Sequence, residues 1–274
     1  MLGNALVRFF SAVKGIRVYA TVRSTVRPAY IDSLQNVTVL TSVDVENQDG
    51  LLNLFRQVRP DVVINAIGLI KQQADANEPL SAVPINTMLP HRLAMLCSLV
   101  DARFIHISTD CVFSGAKGMY IEDDFPDAYD LYGRTKLLGE VDYPNAVTLR
   151  TSMIGHELHS SKSLICWFLA QEGSVKGYRR AVFSGFPTVE LARVIQDFVL
   201  PHEDLHGLYH VSAAPINKYD LLTRVANAYG KSIEIVPDDS LQIDRSLDSS
   251  RFRAVTGFVP KSWDEMISAM RDFA

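Results

Sequence analysis

The sequence has 274 residues, of which 47% are hydrophobic and 21% are charged. A chain of this size and composition suits one large α/β domain with a smaller second lobe, and it excludes a disordered protein. Its 27 basic and 31 acidic residues give a net charge of -4, so it lacks the positive excess that a nucleic-acid partner requires. It also lacks the roughly 18 consecutive apolar residues of a membrane-spanning helix, and we expect no membrane partner.

The cysteines and the N-terminal segment bear on the compartment. Cys97, Cys111 and Cys166 are an odd number without metal-ligand spacing, which predicts reduced thiols, no metal site and a cytoplasmic location. The first residues superficially resemble a signal peptide, but Arg8 interrupts the apolar stretch and the apolar positions follow helical spacing. The sequence therefore predicts that the chain begins with an amphipathic helix.

Five short runs rich in β-branched residues come next and alternate with helical patterns. We predict strands at 16–22, 37–40, 61–68, 103–109 and 146–152, with helices around 51–58 and 89–99. Strands separated by helix-length segments indicate βαβ units with right-handed crossovers. Residues 1–155 are therefore predicted to form a Rossmann-like, doubly wound parallel sheet of the α/β class.

Residues 156–274 carry a looser pattern. Helices are predicted near 162–171, 188–200 and 217–229, and short strands at LYHVSA (208–213) and IEIVP (233–237). Ser262 and Glu265 form a capping-box signature at the start of the last helix. We expect this part to be mainly a small substrate-binding lobe, with some return to the first domain and a cleft between the two.

Small and polar residues follow three of the predicted strands, in NAIG (65–68), STD (108–110) and TSMIG (151–155). Ligands of doubly wound sheets bind beyond the carboxyl ends of the strands. Each motif alone is common loop chemistry, but the three together predict a ligand site at this edge of the sheet.

The stretch YGRTK (132–136) places Tyr132 and Lys136 on one face of a predicted helix, because they are four residues apart. Taken alone, the pair is equally well explained by a packing residue and a solvated charge. It follows Thr109 of the STD motif by 23 residues, and this combination is more specific. Thr109 itself could serve only to satisfy a backbone group at the strand end.

The motifs STDCVFSG, YIEDD, YGRTKLLGE and LRTS, together with INTMLPHRLA and FPTVELA, extend this pattern over nearly the whole chain. The chain resembles the extended short-chain dehydrogenase/reductase family, and within it the dTDP-4-dehydrorhamnose reductase branch. The resemblance implies an NADPH-dependent reductase of a 4-keto nucleotide sugar, acting in deoxysugar or surface polysaccharide biosynthesis. It also implies that Thr109, Tyr132 and Lys136 are the catalytic residues.

The chemistry of ketone reduction explains these residue types, because a hydride must reach carbon and a proton must reach the developing alkoxide. Tyr132 is expected to supply the proton. A free tyrosine has a pKa of about 10, and a Lys136 ammonium one turn away would lower it. Thr109 would donate a hydrogen bond to the carbonyl oxygen. In the family, the lysine also holds the nicotinamide ribose.

The glycine fingerprint of the family is where this sequence departs from the pattern. The fingerprint joins the first strand to the first helix and lets pyrophosphate reach the helix N-terminus. Here the sequence begins MLGNAL, so Gly3, next to Leu2, matches the last glycine, and the first strand is missing. Either the sequence starts at an internal methionine, or the protein has diverged from dinucleotide binding. We favour the first, and expect this polypeptide to bind cofactor poorly and to be less stable than an extended one.

The remaining cofactor contacts are predicted at strand ends. Arg23 stands where a 2′-phosphate needs a cation, which favours NADPH, with NADH as the alternative and a solvated loop charge as the simpler explanation. By resemblance, Asp44 contacts adenine with Val45 beside it. The other residues expected to line the cofactor path are Ala66, Ile67 and Gly68, together with Leu2, Gly3, Tyr132 and Lys136.

Substrate contacts are drawn from the strand ends and from the second lobe. Arg179 could bind a nucleotide diphosphate, Asp110 is either a turn-former or a substrate contact, and Met153 stands where rhamnose-forming relatives often carry tryptophan. The full set of candidates is Lys71, Asp110, Val112, Phe113, Met153 and Arg179. A homodimer is compatible with the sequence.

Two other functions remain open. One is a non-catalytic regulatory or scaffold subunit, since the regulatory subunit of methionine adenosyltransferase resembles the same branch. The other is a nucleotide-sugar epimerase or dehydratase, which uses the same Tyr/Lys pair.

Overall fold

The computed structural model describes residues 1–70, 77–158 and 163–274. The helices are α1 (Leu2–Ser11), α2 (Gln48–Val58), α3 (Pro79–Ala82), α4 (Leu89–Leu99), α5 (Leu131–Leu138), α6 (Leu164–Ala170), α7 (Thr188–Val194), α8 (Lys218–Tyr229), α9 (Ser250–Thr256) and α10 (Trp263–Asp272). The strands are β1 (Val18–Thr21), β2 (Val37–Leu40), β3 (Val62–Asn65), β4 (Arg103–Thr109), β5 (Ala146–Thr151), β6 (Met153–Ile154), β7 (Ser174–Tyr178), β8 (Ala181–Phe183), β9 (Phe186–Pro187), β10 (Gly207–His210), β11 (Ile216–Asn217), β12 (Glu234–Asp238) and β13 (Ile243–Asp244).

The central sheet has the order β10-β5-β4-β3, and all of its strands are parallel. A second parallel sheet pairs β1 with β2. Strands β4 and β5 are buried along nearly their whole length, as expected of a parallel sheet covered on both faces. The predicted α/β, Rossmann-like architecture is confirmed. Strand β10 belongs to the C-terminal part of the chain but joins the central sheet beside β5.

A groove separates the two parallel sheets. Strand β1 hydrogen-bonds to β2 and β3 to β4, and in the described residues no ladder joins β1 to β3. Between them lies a cavity of about 720 Å³. The side chains that line it include Val18, Ala20, Val22, Val62, Ile64 and Ala66.

Helix α1 runs over the groove. Gly3 and Asn4 at its start line the cavity near the carboxyl end of β3, and Phe10 lines it near the far end of the helix. The side-chain oxygen Oδ1 of Asn4 is buried and has no hydrogen-bond partner among the described residues. A buried polar atom without a hydrogen-bond partner costs free energy. The groove is therefore lined by apolar side chains and by one polar atom that no described residue satisfies.

Three small sheets build the C-terminal part: β12-β7, β11-β8-β13 and β6-β9. Most of these strands were not predicted from the sequence, whereas helices α6, α7 and α8 lie where they were expected. The predicted capping box is present, since Ser262 Oγ accepts from Glu265 N and the Glu265 carboxylate accepts from Ser262 N. Arg245, after β13, donates to the carbonyl oxygens of Phe113 and Ser114 and thereby ties this part to the loop after β4.

Apolar residues from both parts of the chain share one large core. The core joins α1, the centre of β4 and β5, and helices α7, α8 and α10. Among the described residues no helix combines the length and the hydropathy needed to cross a membrane.

Candidate active site

Helix α5 carries Tyr132 and Lys136 and lies against the loop that follows β4. Its N-cap is Asp130, whose side chain accepts a hydrogen bond of 2.8 Å from Gly133 N. A side chain at Gly133 would overlap with the carbonyl oxygen of Cys111. Glycine at this position therefore permits the close approach that brings α5 to the STD motif.

Lys136 is buried and points at strand β4. Its Nζ donates to the carbonyl oxygen of Ile107 at 2.8 Å and lies 3.5 Å from Nε2 of His106. Burial lowers the pKa of Lys136 to about 8, against the opposing effect of the Glu140 carboxylate. Lys136 is therefore mostly charged at neutral pH, but close to its titration range.

Two residues that were not predicted from the sequence, Asn65 and His106, lie next to Lys136. Asn65, at the end of β3, donates from Nδ2 to Nδ1 of His106 at 3.2 Å, and its Oδ1 accepts from Ile67 N at 3.1 Å. Because Nδ1 accepts, the proton of the neutral imidazole sits on Nε2, facing Lys136. Burial, followed by the Lys136 charge, holds the pKa of His106 well below its ordinary value. Asn65 thus holds the His106 ring in place next to the Lys136 side chain.

Thr109 ends β4 and contacts Tyr132. Its Oγ1 donates to Oδ1 of Asp110 at 3.2 Å and accepts from Cys111 N at 3.1 Å. A hydrogen bond between Thr109 and Tyr132 lowers the pKa of the phenol, but burial raises it more, and the acidic groups nearby add to the rise. The pKa of Tyr132 is thus raised above its ordinary value.

The expectation that Lys136 lowers the pKa of Tyr132 is wrong for this structure. The two side chains do share a face of α5, but the ammonium is bound to Ile107 O and the phenol lies beside Thr109. Desolvation therefore decides the direction of the shift. The result is a tyrosine that keeps its proton at neutral pH, which is the state a proton donor needs.

Several predicted substrate residues have other surroundings. Val112 and Phe113 are fully buried, and Phe113 stacks on Tyr120 with ring centroids 4.1 Å apart. Their carbonyl oxygens accept from Ala128 N and Arg245 Nε. Neither residue exposes its side chain in this structure, and their contact with substrate stays a prediction.

The other predicted substrate residues lie in different places. Asp110 is buried next to Thr109. Met153 is half-buried and packs on the main core. Arg179 lies in an exposed ion pair with Asp239 between β7 and β8. Lys71 lies outside the described residues.

The predicted cofactor residues lie mostly at the carboxyl ends of β1, β2 and β3. Arg23 is exposed after β1, and Asp44 is exposed after β2, where its Oδ1 accepts from Glu46 N. The residues of this set that line the cavity next to β3 are Gly3, Val45, Ala66 and Ile67. Leu2 is buried in the core, so its side chain cannot contact a ligand.

Asn86 joins the cofactor side to the helix α5 side. Its Oδ1 accepts from Leu69 N at 2.9 Å, and its Nδ2 donates to Leu69 O at 3.1 Å and to Thr135 Oγ1 at 3.3 Å. The loop that contains Gly68 is therefore held at a fixed distance from α5. The site is a built arrangement in which β3, β4 and α5 are fastened to one another.

This combination of a parallel Rossmann-like sheet and a Tyr/Lys helix beside a Ser-Thr strand end defines the class of extended short-chain dehydrogenase/reductases. A family model described as the RmlD substrate binding domain matches residues 1–273, and the chain belongs to that family.

Individual relatives agree with this assignment. The chain is 24% identical over 259 residues to a dTDP-4-dehydrorhamnose reductase of Aggregatibacter actinomycetemcomitans, covering 85% of this chain and 88% of the relative. It is 27% identical over 206 residues to methionine adenosyltransferase 2 subunit beta of Danio rerio, covering 70% of this chain but only 63% of the relative.

Solved structures show the same fold. A dTDP-4-dehydrorhamnose reductase of Bacillus anthracis in complex with NADP superposes with a TM-score of 0.77 at 18% identity, covering 94% of this chain and 99% of that one. The Bordetella bronchiseptica enzyme WbmG in complex with NAD and UDP superposes with a TM-score of 0.78 at 17% identity, covering 100% of this chain and 91% of that one.

Proposed function

We propose that this protein is an NADPH-dependent reductase of a 4-keto nucleotide sugar, in deoxysugar or surface polysaccharide biosynthesis. The observation that carries the proposal is the meeting of Thr109, Tyr132 and Lys136 at the carboxyl end of β4. A scaffold has no chemical need for a protonated phenol, a hydroxyl and a buried ammonium in one place. Membership in a family that includes dTDP-4-dehydrorhamnose reductases supports the same conclusion.

In this proposal each side chain has one task. Tyr132, which is protonated at neutral pH, donates its proton to the carbonyl oxygen of the sugar. Thr109 turns its hydroxyl from Asp110 to the same oxygen and stabilises the charge that develops there. Lys136, whose Nζ is hydrogen-bonded to Ile107 O, would hold the nicotinamide ribose of the cofactor.

The residues at the strand ends suit a dinucleotide. Arg23 offers a cation for the 2′-phosphate, Asp44 and Val45 would hold the adenine side, and Ala66 to Gly68 give a path of small or apolar residues towards Lys136. The free backbone N–H groups at the start of α1, around Gly3, suit pyrophosphate. The bound cofactor would supply the hydride for the carbonyl carbon.

One assay separates the candidate functions. The protein is incubated with NADPH and a panel of dTDP-, UDP- and GDP-4-keto sugars, and the absorbance of the reduced nicotinamide is followed. We expect net oxidation of NADPH with at least one of the sugars. Isomerisation or dehydration without net oxidation would replace the reductase by an epimerase or dehydratase. Silence across the panel from a folded protein would favour a non-catalytic subunit, and the Danio rerio relative is a subunit of methionine adenosyltransferase 2.

We also infer a homodimer and a cytoplasmic location. Met88, Met95 and Leu99 lie along one exposed side of the helical segment that ends in α4, and exposed Leu138 of α5 lies near it, because His91 of α4 contacts Leu138 O. An exposed apolar strip of this kind suits an interface with a second copy of the chain. Sedimentation velocity would measure the oligomeric state and so test the dimer. The free cysteines and the need for NADPH support the cytoplasm.

A further inference from the structure

The side chain of Lys218, in the C-terminal part of the chain, interacts electrostatically with Asp110 of the active site. Lys218 is the first residue of α8, directly after β11, which pairs with β8 through Ile216 and Phe183. Its Nζ lies 3.8 Å from the centroid of the Phe183 ring. The lysine therefore folds back along β8, where it is half-buried, instead of extending into solvent.

The ammonium of Lys218 has no ion-pair or hydrogen-bond partner within the part of the chain that the structure describes. The acidic group that acts on it is the buried carboxylate of Asp110, with the Cys111 thiol beside it. Burial lowers the pKa of Lys218 to about 8, and Asp110 opposes that shift. The two groups interact electrostatically, but they form no ion pair or hydrogen bond with each other.

The space between these charges adjoins the reacting carbonyl, because Asp110 follows Thr109 and is hydrogen-bonded to it. Desolvating an ammonium and a carboxylate without joining them is costly, unless a ligand completes their hydrogen bonds. A phosphate would suit Lys218 but would be repelled by Asp110. A neutral hydroxyl satisfies both charges, since it accepts from an ammonium and donates to a carboxylate.

Resting on the proposed function, we propose that Lys218 is a specificity-determining residue that binds a hydroxyl of the substrate's sugar, together with Asp110. Arg245 also faces Asp110, but its guanidinium is committed to the carbonyl oxygens of Phe113 and Ser114. Lys218 has no such commitment among the residues that the structure describes, and its contribution would make sugar recognition depend on both parts of the chain.

The test measures binding of dTDP-, UDP- and GDP-glucose by calorimetry, with the matching nucleoside diphosphates as probes that lack the sugar. Lys218→Met removes the charge and keeps most of the side-chain volume. Losing one charge-assisted hydrogen bond weakens binding by about tenfold or more. We expect that loss for the best-bound nucleotide sugar and none for its nucleoside diphosphate. Lys14→Met removes an exposed lysine and serves as the control.

A second readout is the pH profile of sugar binding. In the unsubstituted protein the affinity for the nucleotide sugar should fall above about pH 8, where Lys218 loses its proton, and Lys218→Met should remove that fall. Equal affinities of Lys218→Met and the unsubstituted protein would overturn the inference, as would an equal loss for the nucleoside diphosphate. If the unsubstituted protein gains no affinity from any sugar, the proposed function falls together with this inference. The melting temperature of Lys218→Met shows whether it is folded.

Discussion

Tyr132 and Lys136 lie in separate environments, and the charge of Lys136 does not set the pKa of Tyr132. Burial raises the pKa of Tyr132 and so keeps it protonated, and Lys136 Nζ donates a hydrogen bond to Ile107 O. The phenol is therefore protonated at neutral pH, and its raised pKa makes it a weaker acid than a free tyrosine. Burial lowers the pKa of Lys136 to about 8, so its charge is close to titration.

Replacing Tyr132 with phenylalanine tests the proton donor. A positioned general acid contributes roughly 10² to 10⁴ in rate, so we expect Tyr132→Phe to lower kcat by at least about a hundredfold while the Kd for NADPH stays unchanged. Steady-state kinetics and fluorescence titration measure the two quantities. Tyr129→Phe is the matched control, because Tyr129 is near in sequence but exposed. A near-normal kcat in Tyr132→Phe would refute the assignment.

At the scale of elements, the helices and long strands could be predicted from local pattern, but the contacts between them could not. The runs at 103–109 and 146–152 are rich in β-branched and aromatic residues, and β4 and β5, which they form, are buried along nearly their whole length. Strand β7, SVKGY, lacks such a run because the strand owes its place to pairing with β12, some 60 residues later. The spacing of Tyr132 and Lys136 in the sequence correctly predicted that they lie on one face of a helix. It could not give the desolvation that sets their pKa values, and Lys218 was missed because its neighbours come from distant segments.

The groove between β1 and β3 could accommodate one more β-strand. Within residues 1–70, 77–158 and 163–274, each of these strands pairs along one edge only. Unpaired backbone groups beside apolar side chains can pair with a further parallel strand. Such a strand would end at the start of α1, which lines the same cavity. The two sheets would then become one continuous sheet.

Fusing a short strand of valine and isoleucine with a glycine turn ahead of Met1 tests this requirement. If the strand enters the groove, it should add at least about 2 kcal/mol of stability and raise Tm by about 4 °C or more. NADPH affinity should rise as well, because the turn would face the start of α1. The control has the same length but carries two prolines, which cannot donate to the ladder. Equal Tm and equal NADPH affinity for the two fusions would contradict the idea.

At the scale of the whole molecule, a buried polar network joins the central sheet to the C-terminal part. Arg150 of β5 forms a bidentate ion pair with Glu140 at 2.7 and 2.6 Å, and its Nη1 donates to Nε2 of His210 in β10 at 3.3 Å. The Nδ1 of His210 then donates to Tyr120 O at 2.9 Å. His210 must be neutral to accept from Arg150, so the cohesion of the two parts depends on pH.

Acid should therefore weaken the fold well before the carboxylates titrate. Burial, followed by the Arg150 charge, lowers the pKa of His210 to about 4 from 6.5. The unfolded chain takes up a proton below pH 6.5 and the folded chain does not until about pH 4, so stability falls as pH falls through this window. At pH 5 the loss from His210 is about 2 kcal/mol, and His106 changes stability in the same direction. We expect Tm to drop by about 5 °C between pH 7 and 5. His210→Gln should reduce that drop while His206→Gln, an exposed control, should not; an unchanged drop in His210→Gln would show that His210 does not couple the fold to pH.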